Sequence, residues 1–233
     1  MAVFKRIVAL VLLCATLGIC QTRLFVFVPG ISNIQHLQTE FDAAVGPKKT
    51  IIFGRIVDVE AFIAAIPDAT IIVNADYLKY APDYKAFLWG KYKNETGQKY
   101  FLVAANANVT LENIAEKKIG IVNFLGRNRL SQFVRFQFGF VPKALKLANK
   151  NEDLLTMLGM ESVDAVIVPK TEYAELASDT KQNLVVLKES IHLVGFLVCA
   201  ARTGNDNALI QKTLMGLPAS LNRQLRIDKW ESK

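Results

Sequence analysis

Histidine is nearly absent: only His36 and His192 occur, and no Cys-x-x-Cys or His-Glu-x-x-His spacing is present. A metal site is therefore not expected. Neither histidine has a neighbouring cysteine or serine that would suggest a nucleophile and its base, so no catalytic residue is assigned. Cysteine is equally sparse. Cys14 and Cys20 fall in the amino-terminal segment, and Cys199 stands alone in the rest of the chain, within the apolar run 193–201. One thiol cannot form an internal disulfide, so packing must supply the stability, and Cys199 reads as a buried structural thiol. No arginine- or lysine-rich stripe and no nucleic-acid reader motif appears, which argues against nucleic acid as a partner. Low-complexity tracts are missing too. With 52% hydrophobic and 21% charged residues among 233, the composition excludes disorder and suffices for one large core or two small ones.

The first twenty residues stand apart. Lys5 and Arg6 precede an uncharged apolar stretch, residues 7–20, that is shorter than the roughly 17–25 residues of a bilayer span. A basic start, a short apolar region and small residues near its end describe a secretory signal peptide, with cleavage expected after Cys20. An uncleaved anchor and a lipid-modified Cys20 remain the alternatives, although Ile19 is bulky for the latter. Removing residues 1–20 takes away Lys5 and Arg6 and no acid, so the formal charge falls from +7 to +5. That modest basic excess suits an anionic ligand or a negatively charged surface.

From residue 23 onward, short apolar runs alternate with helical periodicity. Residues 23–28, 50–53 and 69–73 read as buried strands. Between them lie a helix with Ile34, Leu37, Phe41 and Val45 inward, opened by Ser32 or Asn33, and one capped by Asp58. Strands alternating with helices imply right-handed crossovers and a mainly parallel sheet. Residues 86–92 and 99–105 flank Lys93-Asn-Glu-Thr-Gly97 and read as a hairpin or a long strand-turn-strand. The alternation then restarts. Strands are expected at 119–124, 144–148, 164–168, 184–187 and 193–201, with helices at 129–138, 152–158, 172–176 and 208–217. Phe133, Phe136 and Phe140 share a helical face and read as core. Two α/β blocks joined by extended segments imply two lobes, a hinge and a cleft. The expected division is a signal at 1–20, a first lobe from 21–105 plus 193–233, and a second from 106–192.

Three phrases carry a family resemblance. They are Val109-Thr-Leu-Glu-Asn-Ile-Ala-Glu-Lys-Lys-Ile-Gly-Ile-Val122, Ser162-Val-Asp-Ala-Val-Ile-Val168, and Phe196-Leu-Val-Cys-Ala-Ala-Arg-Thr-Gly-Asn-Asp206 with the helix that follows. In this order and spacing the chain resembles the type II periplasmic solute-binding proteins. The resemblance implies a two-lobed α/β fold and reversible capture of a solute by hinge closure. It also implies a partner in an ABC importer's permease or a sensor protein at the membrane, action as a monomer in the periplasm, and no cofactor. Pro169-Lys170 stands where amino-acid receptors of the group carry an acid, and residues 74–83 lack their arginine motif. Leu125-Gly-Arg-Asn128 replaces the Ser/Thr-rich anion loop of phosphonate-type receptors. A small anionic ligand other than an ordinary amino acid is therefore expected.

In open α/β sheets ligands sit beyond the carboxyl ends of the strands, beside free helix amides. That rule selects Ser32, then Asn74, Asp76 and Tyr77, then Gly126, Arg127 and Asn128, and finally Lys170 and Thr171. Arg127 would grip an oxyanion in two-point fashion, Asn128 would cap the helix, and Lys170 would act as a point charge. Each also has an ordinary role, as a helix cap or a solvated surface charge. An exported enzyme on the same scaffold would need a concentrated acid/base set, whereas Asp76, Glu172 and Lys170 are scattered. A binding-type domain serving envelope sensing or protein contact is the other alternative, and it predicts a cleft filled by the chain's own side chains.

Overall fold

The computed structural model describes residues 23–46, 50–202 and 207–232. The expected signal segment and residues 203–206 of the third phrase lie outside them. Among the described residues no helix is long and apolar enough to cross a membrane.

Two separate sheets form. The first has the order β13-β4-β12-β3-β1-β2, built from β1 (Leu24–Phe27), β2 (Thr50–Phe53), β3 (Thr70–Asn74), β4 (Tyr84–Lys91), β12 (Leu197–Arg202) and β13 (Lys229–Glu231). The second has the order β10-β6-β9-β7-β8, from β6 (Tyr100–Ala104), β7 (Lys118–Val122), β8 (Ala144–Ala148), β9 (Ala165–Pro169) and β10 (Val185–Glu189). In each, strands joined by helical crossovers pair in parallel: β1 with β2 and β3, and β7 with β8 and β9. Strands that cross from the other lobe enter from the opposite end and pair antiparallel, as β12 does with β3 and β6 with β9.

The crossings are short. β5 (Gly97–Gln98) and β11 (Val194–Gly195) pair with each other and form a two-stranded hinge between the sheets. Gly97 has no room for a side chain, since a Cβ would lie 2.7 Å from the Val194 carbonyl oxygen. Here the structure corrects the sequence reading. The two long runs flanking Lys93–Gly97 are not a hairpin: β4 joins the first sheet and β6 the second. Only Tyr92 and Glu95 bridge, around left-handed Lys93 and Asn94. β6, expected within the first lobe, lies in the second sheet, and the run 193–201 splits at Phe196 into β11 and β12.

Helices cover both sheets: α1 (Ile34–Val45), α2 (Ile56–Ala65), α3 (Arg127–Phe138), α4 (Asn151–Gly159), α5 (Lys170–Ser178), α6 (Ala208–Met215) and α7 (Ala219–Gln224). Asn33 caps α1 by accepting from the His36 amide. Asp58 sits inside the first turn of α2, paired with Arg55, and is not its cap. Asn128 likewise lies within α3. Gly126 occupies that helix's cap position at φ 86°, its amide donating to Asn123 Oδ1. Phe133 and Phe138 are buried, but Phe136 turns outward and stacks on His192 with ring centroids 4.6 Å apart. α7 and β13 were not legible as elements in the sequence.

Candidate functional site between the two sheets

The parallel strands of the two sheets end facing one another, so the loops after β1, β3, β7 and β9 meet. The first contact is backbone on backbone: Gly30 of the first lobe bridges Lys150 of the second. Gly30 has φ +75°, and a Cβ there would lie 2.9 Å from Asn151 Nδ2 and 3.1 Å from Oδ1. Left-handed geometry and close approach both demand glycine.

Beside this contact a polar set crosses the gap. Glu172 of α5 is buried. Asn151 of α4 donates to its Oε2, and Arg226 of the first lobe places Nη1 2.6 Å from its Oε1, off the line of a hydrogen bond. Arg226 also donates to the carbonyls of Pro29 at 3.0 Å and Gly30 at 3.4 Å. Ser32 donates to Glu152 across the gap. Burial pushes the Glu172 carboxyl up to about 7 against the pull of Arg226, so here desolvation outweighs the ion pair. Burial would also raise Glu152, but the Ser32 hydroxyl, its own backbone amide, Lys150 and Arg226 together hold it below the usual carboxylate range. Burial drives the Tyr100 phenol, with Glu172 nearby, far above its ordinary value.

Arg226 has an unusual seat. It follows α7 with φ 59°, and the Arg226 and Ile227 amides return to the carbonyls of Arg223 and Asn222. This is the left-handed position after a helix, where glycine is the usual resident. A non-glycine residue there costs on the order of 1–2 kcal/mol, a local strain that places the guanidinium across the gap.

The floor of the gap is apolar. Phe124 and Leu125, after β7, are each 1% exposed and belong to one cluster that also holds Phe25, Ile71 and Val73 of the first sheet and Leu102 and Ile121 of the second. The lobes therefore share a core. What remains is a cavity of about 50 Å³ walled by Val28, Asn74, Tyr100, Phe124, Glu172 and Arg226 among others. That is space for one or two waters. It lies beside an open groove of about 620 Å³ lined by Ser32, His36, Tyr92, Thr171, Glu175 and Arg223, with Glu172 and Arg226 common to both.

A second clamp holds the other flank. Arg129 of α3 pairs with Glu60 of α2, and its guanidinium lies 4.8 Å from the Tyr80 ring centre and 5.7 Å from that of Tyr77. Burial, with Glu60 nearby, pushes the Tyr77 phenol up to about 12. A cavity of about 320 Å³ opens beside this clamp, between Tyr80 and Phe136.

The residues selected from sequence divide four ways, with Asn74 in two of the groups. Ser32, Asn74 and Thr171 line the cleft or its groove. Asn74 and Asp76 fix the hinge: Asn74 donates to the Gly195 carbonyl at 2.7 Å, and Asp76 accepts from the Gly195 amide at 3.1 Å. Tyr77 is packed in the shared core. Arg127, by contrast, donates to the Leu145 carbonyl at the second sheet's edge, and Lys170 pairs with Glu189 at 3.1 Å. Gly126 and the exposed Asn128 also stand outside the cleft lining. Arg226, Asn151 and Arg129 were not selected. Arg226 follows a short helix with no motif around it, and its only sequence signal is an arginine where a helix-ending glycine would be ordinary.

The fold is that of the type II periplasmic binding proteins. The binding-protein component of an ABC phosphonate transporter from Pseudomonas aeruginosa aligns with a TM-score of 0.69 at 12% identity, over 91% of this chain and 81% of that one. PhnD1 from Prochlorococcus marinus, in complex with methylphosphonate, aligns with a TM-score of 0.61 at 11% identity, over 91% and 92%. The periplasmic VFT2 domain of BvgS from Bordetella pertussis gives 0.53 at 10%, over 88% and 94%. No family model and no curated protein matches the chain.

Proposed function

We propose that this is an exported binding protein that takes a small polar solute into the cleft between its two sheets. The observation that carries this reading is the meeting, at the strand ends of both lobes, of Ser32, Asn74, Asn151, Thr171, Glu172 and Arg226 around one cleft and its groove. A two-stranded hinge gives that cleft a means of opening. Export rests on the signal-like residues 1–20. The closed form would present its surface to an importer's membrane subunit or a sensor at the membrane, since an ABC transporter's binding protein and a histidine kinase sensor domain share this fold. An anionic preference is expected from the net charge, but Arg127 and Lys170, the two candidate anion contacts, are not among the residues lining the cleft or its groove. In the groove Arg223 and Arg226 stand with Glu152, Glu175 and a Glu172 carboxyl that burial pushes up to about 7, a mixture that favours a zwitterionic or neutral polar solute over a simple anion.

Thermal unfolding against a panel of amino acids, sugars, phosphonates, carboxylates and polyamines tests the reading. A ligand at a hundred times its Kd adds about 2.7 kcal/mol, which raises the melting temperature by roughly 5–10 °C for a chain of this size. An unchanged melting temperature with every compound at millimolar concentration overturns solute capture. That outcome would favour a second reading, a closed domain that contacts a partner protein, which the shared core at Phe124 and Leu125 specifically supports. Such a domain would still engage its partner with Ser32→Cys and Glu152→Cys oxidised to lock the lobes.

A further inference from the structure

We infer that Glu172 is a proton-operated latch: proton uptake at its carboxyl favours the closed arrangement of the lobes, and proton release loosens the cleft. This inference takes the cleft to be the solute site proposed above, and gives that site its regulation.

The geometry comes first. Glu172 belongs to the second lobe, yet its carboxyl is wedged against Arg226 of the first and held by Asn151, the residue on which Gly30 rests. Separating the lobes must carry Arg226 and Gly30 away from it and admit water. The charged and titratable groups around this carboxyl bear on its proton, and Arg223 and His36 line the same groove. Arg226, on the turn after α7, favours the charged form. Glu152 in the first turn of α4 and Glu175 on Glu172's own helix oppose it, and the Tyr100 phenol of β6 lies nearby and neutral. Burial is the largest influence and also opposes charge.

The sign follows. In the closed form the carboxyl titrates at about 7; in an open, hydrated cleft it would return toward its ordinary 4.5. The closed form therefore binds the proton more tightly. Closure is favoured fully below the open-form value, and the preference is lost as pH rises from 4.5 through 7. Between pH 5.5 and 8.5 the closed-to-open ratio should fall on the order of thirtyfold.

Hydrogen exchange followed by mass spectrometry, without any solute, reads this directly. The peptides spanning residues 28–33 and 149–153 enclose the Gly30–Lys150 bridge, and β9 serves as an internal control. After correction for the intrinsic pH dependence of exchange, protection of the two bridge peptides should be at least tenfold higher at pH 5.5 than at pH 8.5. Glu172→Gln should flatten that profile at the protected level. Arg226→Gly removes the cation that lowers the carboxyl's pKa while relaxing a left-handed residue, so its transition should move to higher pH. A flat wild-type profile, pH dependence persisting in Glu172→Gln, or a midpoint that stays or falls in Arg226→Gly overturns the latch. A flat profile leaves solute capture standing, and failure of the solute panel leaves the latch standing, so the two are judged separately.

Discussion

Gly30→Ala is the smallest change that should separate the lobes. An alanine at φ +75° carries the left-handed penalty, about 1–2 kcal/mol. Its methyl would also sit 2.9 Å from Asn151 Nδ2, so the amide must give way. Asn151 is 7% exposed and bonded to Glu172, and moving it forfeits a buried bond to a carboxyl, worth roughly 1–3 kcal/mol. Together these give about 2–5 kcal/mol, a fall in melting temperature of roughly 4–20 °C. Urea unfolding at pH 8 and at pH 5.5 would measure it. The Asn151 share should appear alongside reduced exchange protection around the Gly30–Lys150 bridge, with β9 unchanged. A loss below about 0.5 kcal/mol would mean that Gly30 does not bear on Asn151 in solution, and the account of lobe contact would be wrong.

Four further outcomes are expected. Leu125→Ala should cost about 2–5 kcal/mol, because the side chain is 1% exposed in the core common to both lobes; urea unfolding checks it. The coupling between Arg129→Met and Glu60→Gln, from a double-mutant cycle, should be about 0.5–1 kcal/mol, as fits a half-buried pair on a clamp. Arg127→Ala and Lys170→Ala should leave any solute affinity within about 0.5 kcal/mol, since neither lines the cleft; a binding titration checks it. Cys199 is fully buried and its pKa is raised well above normal by burial, so thiol reagents should modify it only as fast as the protein unfolds.

What could be read from the sequence was set by burial. β1, β3 and β9 are short apolar runs with nearly every side chain covered, so they announce themselves without partners. Periodicity does not say which sheet a run joins. β4 and β6 are similar runs around a sharp turn, and only the hinge pairing of Gly97–Gln98 with Val194–Gly195 sends them to different lobes. The same limit governed the site. Ser32, Asn74 and Thr171 follow from the rule that ligands gather at strand ends, and they line the cleft. Arg127 and Lys170 obey the same rule, but their long side chains found nearer partners in the Leu145 carbonyl and Glu189. Arg226 comes from the far end of the chain, from the turn after a six-residue helix, and its reach to Glu172 depends on a left-handed backbone that composition does not reveal.

The most direct test is the distance between the lobes. Spin labels at Lys85→Cys in β4 and Lys146→Cys in β8, placed in the chain from Gln21 onward with buried Cys199 left in place, report it by pulsed dipolar spectroscopy. Combining Gly30→Ala with Arg129→Met should lengthen or broaden this distance, while a label pair confined to the second lobe, at Lys146 and Met160, should stay fixed. An interlobe distance that does not change when both clamps are broken would contradict a hinged cleft.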